Sequence, residues 1–125
     1  MATDPDAELV YRAEALLEQE LPTRKLSLKE AQDLVNHISH AEDIDPPKVH
    51  HLPISRQFDA LAVPKERVIV VRTKRTTQLT IIHEMAHFLA ESGHGEGFRH
   101  RYNALIRQYL SLDHSTYFQS ELQEK

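Results

Sequence analysis

Residues 68–89 read VIVVRTKRTTQLTIIHEMAHFL, and their order decides the fold. Val68, Ile69, Val70 and Val71 are β-branched without a polar break, which predicts a strand over Val68 to Arg72 buried on both faces. Thr76 or Thr77 then offers a hydroxyl to cap a helix. Leu79, Ile82, Ala86 and Leu89 recur at the spacing of one helical face. The centre of the chain is therefore a buried strand running into an amphipathic helix, and that helix carries His83, Glu84 and His87 as H-E-x-x-H.

Working outward towards the N-terminus, Asp4 and Pro5 make an N-cap and first-turn proline ahead of Leu9, Ala13, Leu16 and Leu17, so a first helix is expected from about Pro5 to Glu20. Leu21 to Arg24 breaks it. Ser27 and Glu30 then have the spacing of a capping box before Ala31, Leu34, Val35 and Ile38, which predicts a second helix ending near Glu42. Asp43 to Pro47 connects. Val49 to Phe58 suggests an irregular strand, interrupted by Pro53 and so at an edge, and Asp59 to Glu66 reads as a loop. Downstream of the H-E-x-x-H helix, residues 92–97 contain all three glycines of the chain and require a tight turn. Phe98, Tyr102, Leu105, Ile106 and Tyr109 outline a fourth helix, followed by a polar tail after Leu112. The class is α+β, in one domain over 1–125, with 1–4 and about 113–125 as tails.

Composition excludes several kinds of chemistry. With no cysteine there are no disulfides, thiolate nucleophiles, zinc ribbons or iron–sulfur clusters in the chain. Hydrophobic residues at 40% and charged residues at 27% are the balance of a soluble domain. No apolar run approaches the roughly 20 residues of a spanning helix, and the acidic start lacks the basic and apolar regions of a secretory signal, so a cytoplasmic protein without a membrane partner is expected. The net charge of −4 argues against non-specific phosphate binding as a main activity. Lys65, Arg67, Arg72, Lys74 and Arg75 do cluster, with Glu66 the one acid among them. A solvated strand and turn explains them better than a partner-binding patch.

The chemistry rests on spacing. Histidines four apart on a helix lie one turn apart on one face, so His83 and His87 can reach one ion, while Glu84 can reach a water on that ion without being a ligand. Nine histidines make a chance match less rare than usual, but this motif sits on a patterned helix after a buried strand. His94 is the leading third ligand, because Gly93 and Gly95 permit the reversal that would return its imidazole. Glu91, Glu96 and His100 are alternatives as ligands or supporting partners.

The stretch from His83 to Tyr102, HEMAHFLAESGHGEGFRHRY, resembles the active-site core of SprT-like metalloproteases, the family that includes the Spartan protease. Their pattern is H-E-x-x-H, a short spacer, then H-G and an aromatic, here Phe98. The resemblance implies a minimal zincin-like fold with two N-terminal helices, a small sheet, the H-E-x-x-H helix and a C-terminal helix. It also implies zinc on His83, His87 and His94, with Glu84 as base. The metzincin continuation H-x-x-G-x-x-H is missing, since position 90 is Ala90, and no methionine follows Met85.

The reading that follows is a zinc metallopeptidase acting on a polypeptide held extended along the edge of the Val68 to Arg72 sheet. A hydrolase of a small amide and a catalytically idle zinc-containing binding module are the alternatives. Nucleic acid is a weaker candidate partner, resting on the basic stretch and the resemblance. An oxyanion also needs a stabilising group, for which Tyr102, His100 and Arg72 qualify by type. Nothing in the sequence sets the oligomeric state.

Overall fold

The computed structural model describes residues 5–90 and 93–123. In chain order the elements are α1 (Pro5–Glu20), β1 (Lys25–Leu26), α2 (Leu28–Glu42), β2 (Lys48–His51), β3 (Ala60–Val63), β4 (Val68–Val71), β5 (Thr76–Thr77), α3 (Gln78–Leu89), α4 (Glu96–Tyr109) and α5 (Leu112–Gln123), with a 3-10 turn at Pro64–Glu66. The class is α+β, as the alternation of patterns predicts. Two compact units divide the chain, one from Arg24–Phe88 and the other from Met1–Thr23 with Leu89–Lys125.

In the Arg24–Phe88 unit, β4 is the middle strand of a three-stranded sheet ordered β2-β4-β3. β2 runs parallel to it with Lys48 opposite Val68, and β3 antiparallel with Ala60 opposite Val71. Ile69, Val70 and Val71 are all buried although successive side chains point to opposite faces, so both faces of β4 are covered. Because β4 has a neighbour on each side, the sheet's outer strands are β2 and β3, and an extended ligand along its edge would meet those.

Two boundaries differ from the sequence reading. The strand expected from Val49 to Phe58 is only β2: Leu52 still donates to the Val71 carbonyl at 3.1 Å, and Pro53, which has no N–H, ends the ladder. The segment read as a loop from Asp59 to Glu66 contains β3. Its Ala60-Leu61-Ala62-Val63 run has little β-propensity of its own, and pairing with β4 makes it a strand.

Helix α2 starts as its sequence dictates, for the Glu30 amide donates to Ser27 Oγ at 3.1 Å and the Ser27 amide to Glu30 Oε1 at 2.9 Å. Asp43 closes it in the left-handed conformation, at φ 61°. Gln32 ties α2 to β2, accepting from the Val49 amide at 2.8 Å and donating to the Pro47 carbonyl at 3.0 Å. β5 pairs antiparallel with β1, and Thr77 then caps α3 by accepting from the Thr80 amide at 3.2 Å. Thr76, the other capping candidate, is buried in β5.

The second unit contains α1, α4 and α5, with α5 packed on both others. Val10, Ala13 and Leu17 of α1 are buried, as are Phe98, Tyr102, Leu105 and Ile106 of α4. The polar tail expected after Leu112 is instead α5, which buries Phe118 completely, its ring centroid 4.9 Å from that of Tyr102. Ser111 caps it, accepting from the His114 amide at 3.0 Å. Tyr117 and Phe118 are adjacent, and Phe118 is the one large side chain of α5 that is buried, which is too thin a stripe to read as amphipathic. Asp4, expected as the cap of α1, lies outside the described residues. No helix among the described residues is long and apolar enough to cross a membrane.

Candidate metal centre

Helix α3 follows β5 directly, so its capped first turn fixes which side chains face inward further along. Leu79, Ile81, Ile82, Met85 and Ala86 are buried, and with them His83 at 5% exposure and Glu84 at 6%. Burying a carboxylate and an imidazole in an apolar helix is costly unless they have work to do or partners to satisfy them. Both have partners.

His83 and His87 meet as their four-residue spacing requires. Their Nε2 atoms are 3.2 Å apart, with ring centroids at 5.0 Å. A tetrahedral ion with metal–nitrogen bonds of about 2.0–2.1 Å holds two nitrogens roughly 3.3 Å apart, so this spacing fits one ion. His83, His87 and His94 each offer one nitrogen, and these all lie within 4.8 Å of one another. Among the described residues they are the one group of three or more such side chains close enough to hold a metal. Imidazole donors without sulfur suit zinc, copper, nickel or iron.

His94 stands in the turn before α4. Gly93 adopts φ 87°, which other residues enter only with strain, whereas Gly95, the N-cap, has φ −73°. The His94 ring packs edge-on against Tyr11 at 5.5 Å and Phe98 at 4.9 Å between centroids. Its carbonyl accepts from Arg99 Nη1 at 3.0 Å, and Arg99 pairs with Asp6 Oδ1 at 3.2 Å. Asp6, Tyr11 and Arg99 escape sequence reading, since an acid and a tyrosine on the first helix carry no motif linking them to residue 94.

Of the alternative ligands, the two that lie among the described residues are not brought into this group. Glu96 and His100 are exposed on α4, and Glu91 lies outside the described residues. Two of the three oxyanion candidates, Tyr102 and Arg72, are engaged elsewhere. Tyr102 is fully buried and donates to Glu14 Oε2 at 2.5 Å, so it belongs to the core. Arg72 donates from Nε to the Phe58 carbonyl and pairs with Asp59 Oδ1, both at 3.0 Å, which anchors the end of β4. Of the remaining basic stretch, Lys65, Arg67, Lys74 and Arg75 are exposed, as a solvated turn predicts, and Arg67 donates to the Asp45 carbonyl.

No protein-family model matches this chain, and no curated protein or solved structure matches it.

Proposed function

We propose that this chain is a zinc-dependent peptidase in which His83, His87 and His94 hold the ion and Glu84 is the general base. The observation that carries this reading is the approach of three imidazole nitrogens to within 4.8 Å of one another, with a buried carboxylate one residue from the first of them. The order of elements, a buried strand, an H-E-x-x-H helix and a glycine turn bearing a third histidine, supports a minimal zincin-like fold. The resemblance of residues 83–102 to SprT-like proteases supports a polypeptide as substrate.

Zinc, when bound, supplies Lewis acidity that polarises water and a substrate carbonyl. Glu84 takes a proton from the attacking water at a carboxylate oxygen and delivers it to the leaving amine. Glu84 is itself buried, at 6% exposure, which limits the bulk water that reaches its carboxylate. A structural metal site has no need of a buried acid beside its first ligand, which disfavours the idle binding module.

The test is Glu84→Gln, assayed on unfolded polypeptides with and without DNA. The amide keeps the shape of the carboxylate but cannot accept the proton, so fold and zinc content should persist while hydrolysis falls by about 10² to 10⁴-fold. Cleavage at the wild-type rate would refute the assignment.

A further inference from the structure

We infer that Asp6 and Arg99 form a latch that fixes where His94 stands and thereby sets the affinity of the site for its ion; this rests on the metal-binding reading above. His94 lies in no regular helix or strand, since it follows the positive-φ Gly93 and precedes the N-cap of α4. Its support comes from α1 and from the first turn of α4. Arg99 Nη1 makes both polar contacts, 3.0 Å to the His94 carbonyl and 3.2 Å to Asp6 Oδ1. The other Asp6 oxygen lies 3.9 Å from where a Cβ on Gly95 would sit, so the acid borders the same turn. Tyr11 and Phe98 flank the imidazole itself. The backbone of the ligand residue is thus held by a polar chain and its ring by two aromatics.

The Asp6–Arg99 pair is too exposed to be explained by stability alone. With side chains 47% and 24% exposed, its charges are partly screened, and a single pair of this kind contributes modestly to folding. An arginine that ends on the carbonyl of a metal ligand has another use, because it orders the ligand before the ion arrives. Partners behind metal ligands typically change metal affinity by about 10- to 100-fold. Asp6 and Arg99 are accordingly positioning residues.

The experiment measures zinc affinity of the full chain by competition with a chromophoric chelator, for wild type, Asp6→Asn, Arg99→Met and Arg99→Lys. The melting temperature of each zinc-free protein and the visible spectrum of each cobalt(II) form are recorded beside it. Asp6→Asn and Arg99→Met are expected to bind zinc roughly 10-fold or more weakly. Their zinc-free melting temperatures should stay close to wild type while the cobalt spectrum changes. Arg99→Lys should recover part of the affinity, because its ammonium can still donate to the carbonyl. Equal affinity across the series overturns the latch and leaves the metal site standing. Zinc-free melting that falls in step with affinity, with an unchanged cobalt spectrum, also overturns it. A wild type that binds no zinc overturns the metal site itself. Should Arg99→Met fail to fold, the milder Asp6→Asn decides the matter.

Discussion

The Nε2 atoms of His83 and His87 lie 3.2 Å apart across one turn of α3. Two lone pairs cannot face each other at that distance without repulsion. Without a cation, one of the two nitrogens must therefore carry a proton and donate to the other. An ion lifts that constraint and satisfies both nitrogens at once.

Metal removal is consequently expected to destabilise the fold. An ion that binds only the native chain stabilises it by about 2.7 kcal/mol when present at 100 times its Kd. Verified removal of zinc by a chelator should lower Tm by several degrees, and re-addition should restore it. An unchanged melting curve would mean that the site is preformed and uncoupled from folding.

The three glycines are expected to respond differently to alanine. Gly93, at φ 87°, should lose roughly 1–2 kcal/mol, the cost of the left-handed conformation for an L-residue. Gly95→Ala meets only ordinary contact with Asp6, and Gly97→Ala, inside α4 with nothing within 4 Å of the new Cβ, should stabilise by about 0.5–1 kcal/mol. Urea denaturation of the three variants measures this, and equal effects at Gly93 and Gly97 would contradict it.

Ser27→Ala should cost about 1 kcal/mol, because it removes the acceptor for the Glu30 amide at the start of α2. The reciprocal half of that cap is pH-dependent. The Ser27 backbone amide, followed by the Arg24 guanidinium, holds the Glu30 carboxyl below its ordinary value of 4.5. A depressed folded-state value means that the contribution is complete above pH about 4.5 and is lost as pH falls through the lower folded value. The stability gap between wild type and Glu30→Gln should narrow over that acid range. A gap independent of pH would show that the cap does not act through the carboxylate's charge.

Tyr102→Phe should lower stability by about 1–3 kcal/mol, since it leaves Glu14 without the buried hydroxyl that donates to it at 2.5 Å. Zinc content should be unaffected. A variant with wild-type stability but lost hydrolysis would return Tyr102 to the oxyanion role.

Much of this molecule was readable from residue patterns where local signals and burial agree. The Ser27/Glu30 box, the β-branched run of β4 and the one-turn spacing of His83 and His87 each dictate their structure with little help from elsewhere. β3 and α5 were not readable, because Ala60–Val63 becomes a strand only by pairing with β4 and α5 buries one large side chain, Phe118. The same limit applies at the site. His94 could be nominated from its flanking glycines, whereas the Asp6–Arg99 pair that holds its turn joins residues 93 positions apart with no motif between them.

Metal analysis of the purified chain beside His83→Ala, His87→Ala and His94→Ala tests the metal centre most directly. About one zinc per chain is expected in wild type, with loss in each variant. Undiminished zinc in His94→Ala alone would pass the third position to Glu91, Glu96 or His100. A wild type that takes up no zinc, even after reconstitution, would contradict the metal centre and the peptidase reading with it.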